Sequence, residues 1–394
     1  MSKFETPTRG ELVGRAADLV DLIRKHAPWQ EENRVLHDEV VQGVVDAGLF
    51  RLRAPRHYGG YESDTATVCG VIAELARGDG SVAWCANTWT LGSWMVGLFP
   101  DEVQDEISAD QDARIGNSIS PNGVAVPTDG GVILNGKWPF STGVQQSGWF
   151  AHSAVQAVDE NTFVPVLIAV PAADLIIVDD WHTVGMRGTG SVSTVAKDLF
   201  VPQARVLPML PLIMEGKHQS ERNAGSVLWK GPFSPSAAAP ASAVSLGLAR
   251  AAWDSFLERL PNRKITYTNY EKQVEAPLTH LEVAEAAVKI DEAEFHVRRG
   301  AERLDGKNAS GEPWTLEERA LARMDMGAAT LRAKEAVDVL NNASGGSSIY
   351  SHVPLQRIER DIQVVSLHGV LHPATNFELY GRVLCGLEPN THLI

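Results

Sequence analysis

The sequence predicts a mostly helical α+β protein in three parts. These are a helical N-terminal domain (1–112), a central antiparallel β-barrel (113–212) and a C-terminal four-helix bundle (213–394). Apolar residues recur at helical spacing at both ends of the chain, while between them short β-branched runs are punctuated by Gly, Pro and Asn. No helical pattern alternates with those strands, which argues against a parallel βαβ domain.

In the first part, Leu12, Ala16, Leu19, Val20 and Ile23 form one apolar stripe. Val40, Val41, Val44, Val45 and Leu49 form a second, and Gly48 is placed to end its helix. Ser81 to Phe99 carries Trp84, Trp89 and Trp94, is too short and interrupted to cross a bilayer, and reads as a core helix. In the middle part, Gly131–Gly136 and Phe163–Val170 read as strands, with Asn135-Gly136 as a hairpin signal. In the last part, Leu246–Leu260 and Leu278–Leu304 read as helices. Thr315-Leu316-Glu317-Glu318 is a capping box that opens a third, running to Leu340. Gly345-Gly346 breaks it, and a fourth follows Pro373. The longest irregular stretch, Ile213–Ser234, has a length that often marks a lid or an entry loop.

A chain of 394 residues buries a large core without disulfide or metal staples. Its net charge of −14 argues against a nucleic-acid partner and gives no attraction to an anionic membrane surface. Cys69, Cys85 and Cys385 form no CxxC pair and suit a reducing compartment. Met1–Pro7 lacks the apolar core of a leader, and no run of about 18 apolar residues occurs. A cytoplasmic protein without membrane or nucleic-acid partners is therefore expected.

Five motifs follow one another along nearly the whole chain. They are Val45–Leu52 with Pro55–Gly60; Asn135–Gly143 with Trp149; Trp181–Ser191; Ala343-Ser344-Gly345-Gly346; and Arg360-Asp361 through His368 to Tyr380-Gly381-Arg382. In this order they are similar to the acyl-CoA dehydrogenase superfamily. There an Arg-Asp pair leads into a loop that often carries a catalytic glutamate. Here no Glu or Asp lies between Asp361 and Glu378, and His368 stands in the loop. The details most resemble the flavin-dependent aromatic hydroxylases of this fold, the oxygenase components of two-component monooxygenases. Similar members act on a phenolic steroid-degradation intermediate and on hydroxyphenylacetate.

The resemblance implies reduced FMN or FAD as cofactor, diffusing from a separate NAD(P)H-dependent flavin reductase, and O2 as co-substrate. It further implies a C4a-hydroperoxyflavin route, a small aromatic substrate with a phenol as the expected kind, and a homo-oligomer such as a tetramer. That chemistry needs a neutral hydrogen-bond partner at flavin N5 and dry walls. The resemblance gives the N5 role to Thr142, with Ser141 the neighbour that a one-residue slip would substitute. Trp138 and Phe140 are the adjoining flavin contacts, and Arg263, suited to phosphate by its bidentate donors, matches the arginine that meets the flavin phosphate, a contact that in this fold can come from a neighbouring subunit and so implies an oligomer. Ser344, Gly345 and Gly346 offer backbone N–H groups.

A phenol must lose or share its proton, and imidazole suits that role near neutral pH. By the resemblance, His368, eight residues after Arg360, stands at the family spacing of the substrate-contacting histidine, with His372 as the fallback. Trp84 matches an aromatic position that walls the ring site or simply packs. His368 and His372 are spaced i, i+4, but no glutamate follows His368, and Gly369 and Pro373 oppose a helix, so no metal is expected. Gly188-Thr189-Gly190 lacks the strand-then-helix context of a dinucleotide fingerprint and reads as a turn, which the resemblance places near the flavin and substrate side without a catalytic part. Three alternatives stay open: an acyl-CoA dehydrogenase with its base elsewhere, a monooxygenase acting on sulfur, nitrogen or indole carbon, and a non-catalytic binding protein with a decayed site.

Overall fold

Capping side chains set where the first helices begin. The computed structural model describes residues 6–159, 161–391 and 393–394. Met1–Glu5, most of the stretch in which no leader is expected, lie outside the described residues. Thr8 and Glu11 form a capping box for α1 (Arg9–Asp18), which α2 (Val20–Asn33) follows directly. His37 caps α3 (Asp38–Asp46), and Gly48 takes the left-handed conformation (φ 70°) just beyond its end. Asp64 and Asp79 cap α4 (Thr65–Gly78) and α5 (Gly80–Val96). Helix α5 is buried on nearly every side, with Trp89 and Trp94 sealed, as expected of a core helix; α6 (Asp101–Ile107) closes the domain.

The central domain is one eight-stranded sheet. Its strands are β1 (Ile115–Ser118), β2 (Gly123–Thr128), β3 (Gly131–Trp138), β4 (Trp149–Ala157), β5 (Phe163–Pro171), β6 (Ile176–Val178), β7 (Ser193–Pro202) and β8 (Val206–Pro208). The order is β6-β7-β3-β2-β4-β5-β8, with β1 also on β4. Pairing is mainly antiparallel, but β1 and β2 both run parallel to β4, a departure from the expected all-antiparallel barrel. The hairpin signal is also corrected. Asn135-Gly136 lies inside β3, and the β2–β3 turn is Asp129-Gly130, with Gly130 at φ 74°. Asn135 instead serves an irregularity in the β3–β7 ladder. Its side chain accepts from Asp198 N–H (2.8 Å) and donates to Asp198 Oδ1 (3.2 Å).

The C-terminal part contains α7 (Met209–Glu215), α8 (Phe233–Ala238), α9 (Ser242–Arg259), α10 (Pro277–Ser310), α11 (Leu316–Ala343), α12 (Pro354–Ser366) and α13 (Pro373–Leu384). Thr315 and Glu318 form the expected capping box. Helix α12 was not foreseen: most of the segment read as a loop at Arg360–Gly369 is helical through Ser366. Its signal is Leu355, Ile358, Ile362 and Val365 at helical spacing behind Pro354 at the first turn. Helices α9 to α12 share one core with α1 to α5, and α13 packs on α11.

The 213–234 stretch is fastened rather than free, unlike the expected lid. Trp229 Nε1 donates to Trp94 O (2.9 Å), Trp94 Nε1 to Leu228 O (3.2 Å) and Asn223 Nδ2 to Gly97 O (2.8 Å).

One close approach ties the helices to the sheet domain. A Cβ added at Gly185 would lie 2.4 Å from Arg360 O and 2.9 Å from Asp361 N, so the turn before β7 rests directly on the α12 backbone. Gly185→Ala is expected to lower stability by about 1–3 kcal/mol, measured by urea unfolding. A variant as stable as the parent would show that this contact relaxes freely.

Candidate active site

Two turns of the sheet domain, 139–143 after β3 and 184–192 before β7, are laced together. Ser141 N–H donates to Val192 O (3.0 Å) and Gly143 N–H to Thr189 O (3.2 Å). Each turn holds a non-glycine residue in the left-handed region, Phe140 (φ 61°) and Met186 (φ 53°). Such residues cost of order 1–3 kcal/mol each and persist only where neighbours enforce them. At Met186 the enforcers are explicit. Its N–H donates to Asp361 Oδ1 (2.5 Å), and its carbonyl accepts from Thr189 Oγ1 (2.8 Å) and Trp181 Nε1 (3.2 Å). The preceding residue of α12, Arg360, donates to Val184 O and pairs with Glu31.

Asp361 is fully enclosed. Burial raises its carboxyl well above the ordinary range, and the nearby Asp79 carboxylate adds to the effect. Asp79, buried as the cap of α5, is raised by the same cause, with Arg357 opposing at 3.9 Å.

The two predicted hydroxyls face different ways. Ser141 is completely buried and donates to Trp138 O (3.0 Å), leaving its oxygen to accept from Thr194 Oγ1 (2.8 Å). Thr194 in turn meets His152 Nε2 (3.2 Å). Burial pushes His152 down to about 3, so the ring is neutral and Nε2 carries its proton. Thr142 keeps 4% of its surface, and its Oγ1 lies 2.8 Å from Ser191 Oγ, which is 2.7 Å from Thr189 Oγ1. Of the pair, only Thr142 reaches the surface.

Trp138 departs from its expected role as a flavin contact. It is sealed in the sheet core, stacks on His152 (4.2 Å) and donates from Nε1 to Ser153 O (2.8 Å), so its ring is unavailable to a ligand. Phe140 is 66% exposed and edge-on to Trp181.

His368 and Trp84 do come together, in a T-shaped contact with centroids 5.0 Å apart. The His368 backbone sits in the turn after α12, accepting from Leu371 N (2.8 Å) and His372 N (2.9 Å). Arg323 steadies that turn through Asn376, which donates to Val370 O (2.9 Å). The residue as a whole is exposed, yet the dense wall around its ring, and secondarily the Arg323 charge, lower its pKa to about 4. The imidazole is therefore neutral at pH 7. His372 caps α13, its ring accepting from Thr375 N–H at a long 3.5 Å, which makes it part of that helix terminus. Helix α5 links the two groups of residues: Trp84 meets His368, while its neighbour Cys85 lies 3.6 Å from Thr189 O.

Arg263 meets the Ser344–Gly346 turn within one chain. It donates to Ser347 Oγ (2.9 Å), Ser344 O and Gln273 Oε1 (3.0 Å). Arg259 joins it at Ser347 Oγ (3.3 Å), and Arg259 Nη1 is buried without a partner among the described residues. Neither arginine pairs with a carboxylate among the described residues, so their donors could hold an anion. Arg259, Ser191, Thr189 and Asp361 received no role from the sequence. The Arg259/Arg263 spacing and the hydroxyls alternating at 189 and 191 were the available signals. Elsewhere, His26, His37 and Glu39 bring ligand-type atoms within 4.8 Å of one another. Their contacts are those of a helix start: His37 caps α3, and His26 bonds Glu39 at 2.9 Å.

Comparison with known proteins places the chain in a family. Residues 16–107 match the acyl-CoA dehydrogenase N-terminal domain, and residues 239–373 match the C-terminal domain of the same family. The fold and site thus define an acyl-CoA dehydrogenase-fold flavoprotein. The oxygenase subunit HsaA of a flavin-dependent monooxygenase from Rhodococcus jostii is 30% identical over 94% of this chain and 97% of its own. The oxygenase component of an FADH2-dependent resorcinol hydroxylase from a Rhizobium species is 29% identical over 98% of this chain and 96% of its own. The structure of XiaF from a Streptomyces species, in complex with FADH2 and glycerol, superposes with a TM-score of 0.90 at 30% identity, covering 97% of each chain. Within that class, the chain belongs to the oxygenase components of the two-component flavin-dependent monooxygenases. It works with reduced flavin, and the subunit names of its relatives imply a separate partner component. Among the described residues no helix is long and apolar enough to cross a membrane.

Because His152 is neutral when folded but has an ordinary pKa of about 6.5 when unfolded, the unfolded chain takes up a proton first. The stability of the neutral ring is present above pH ~6.5 and is lost as pH falls toward 3. The stability gap between the parent and His152→Gln should therefore narrow from pH 7 to pH 4 in urea titrations. A gap that does not change with pH would contradict it.

Proposed function

We propose that the chain hydroxylates a small phenolic ring with reduced flavin and O2, and that His368 is the hydrogen-bond acceptor for the phenol. The observation that carries this is the neutral His368 imidazole held against Trp84. A depressed pKa refines the role. Full proton transfer from a phenol of pKa ~10 to a ring held below the ordinary imidazole range is unfavourable. The ring therefore shares the phenolic proton and orients the substrate, while Trp84 supplies an aromatic wall. The hydroxylase relatives point the same way, one of them acting on resorcinol.

Bound reduced flavin would supply the electrons that activate dioxygen and carry the oxygen atom to the ring. Thr142 is its N5 partner and Phe140 an edge contact. Arg263, Arg259 and the Ser344-Gly345-Gly346 turn hold its phosphate, and the orphaned Arg259 Nη1 supports that fit. A separate NAD(P)H-dependent reductase delivers the flavin by diffusion. The chain works in the cytoplasm as a homo-oligomer, a tetramer. Supporting this, Leu281, Val288 and Phe295 are exposed at seven-residue spacing along α10, an apolar stripe suited to a second copy.

His368→Ala should cut hydroxylated product per reduced flavin by roughly 100-fold or more, while oxygen uptake continues and ends as hydrogen peroxide. Product analysis beside peroxide assay checks this, and an unchanged yield would remove His368 from the reaction. Separately, Leu281→Glu with Val288→Glu should give a smaller species in light scattering; an unchanged mass would place the interface elsewhere.

A further inference from the structure

We infer that the buried chain Met186–Thr189–Ser191–Thr142 is a one-way hydrogen-bond relay that makes Thr142 an acceptor only, and so lets the site distinguish reduced from oxidised flavin. The inference rests on the reading of Thr142 as the N5 partner.

The direction follows from proton counting. A carbonyl oxygen cannot donate, so the 2.8 Å contact at Met186 O uses the single hydroxyl hydrogen of Thr189. Ser191, 2.7 Å from Thr189 Oγ1, must then be the donor to it. With the Ser191 hydrogen spent, the 2.8 Å contact between Ser191 and Thr142 must be filled by the Thr142 hydrogen. Thr142 is left with free lone pairs and no hydrogen to offer. Each member is at least nine-tenths buried, so water has little access to reverse the order. The far end is fixed as well, because Met186 N–H is held by Asp361 Oδ1 and Trp181 Nε1 braces the same carbonyl.

Reduced flavin carries a hydrogen on N5 and can donate it to Thr142. Oxidised flavin has only a lone pair there, so lone pairs would face one another. An unmatched buried polar pair costs enough to change affinity by roughly tenfold or more. Ser191, Thr189, Met186 and Asp361 are thus positioning residues, acting through Thr142. The same relay leaves the N5 proton on the flavin, because a neutral hydroxyl can accept the hydrogen bond but has no tendency to take the proton.

The test is the ratio of dissociation constants for oxidised and reduced FMN and FAD, the reduced forms measured anaerobically. The intact protein should favour reduced flavin. Ser191→Ala frees the Thr142 hydrogen to turn toward oxidised N5 and should lower the ratio roughly tenfold. Ser191→Thr, which restores a hydroxyl, should recover it. Thr189→Val cuts the relay one link earlier and should act like Ser191→Ala, so the inference stays testable if one variant misfolds. If Thr142→Ala lowers the ratio but neither Ser191→Ala nor Thr189→Val does, the relay is wrong and Thr142 remains the N5 partner. If Thr142→Ala itself leaves the ratio unchanged, the reading beneath the relay fails.

Discussion

The hydrogen bond from the Met186 N–H to the buried Asp361 carboxyl is the constraint on which the site depends. Met186 holds an unfavourable left-handed conformation, and a short bond to a buried carboxyl carried on a helix is the kind of contact that can impose one. The bond ties the last turns of α12 to the turn before β7. One helix therefore fixes both faces of the site. Asp361 sets the hydroxyl-bearing turn, and seven residues later the chain leaving the same helix presents His368 to Trp84. Arg360 and the glycine at 185 bring these backbones close enough for the bond to form.

This arrangement explains the pairing of chemistry found there. The proposed reaction needs a hydroxyl of defined polarity and a neutral imidazole. Enclosure keeps water from scrambling the hydroxyl directions, and the crowded wall around His368 depresses its pKa. A carboxyl at the His368 position would be pushed upward by the same wall, toward the range that suits removal of a carbon-bound proton, the reaction of the dehydrogenases that share the fold.

Much of this was legible in the sequence, because long periodic helices and capping boxes are local signals. The Thr315–Glu318 box and the apolar α5 read directly. Other features were not local. Asn135-Gly136 carries the composition of a hairpin turn, yet the ladder to β7 keeps it in the strand through its exchange with Asp198. Helix α12 hid behind an Arg-Asp motif that drew attention to a loop. Trp138 sits beside the site in sequence but points into the sheet, since successive strand residues face opposite sides. The choice between Ser141 and Thr142 needed hydrogen-bond partners about 50 residues away. Relay direction likewise depends on a carbonyl that no side-chain pattern reveals.

The most direct measurement is neutron diffraction from deuterium-exchanged crystals of the protein, which locates hydroxyl deuterium atoms. The account predicts that the Thr142 deuterium points to Ser191, that of Ser191 to Thr189, and that of Thr189 to Met186 O. A Ser191 deuterium on the Thr142 side would contradict it, because Thr142 would then be free to donate and the site could not tell one flavin redox state from the other.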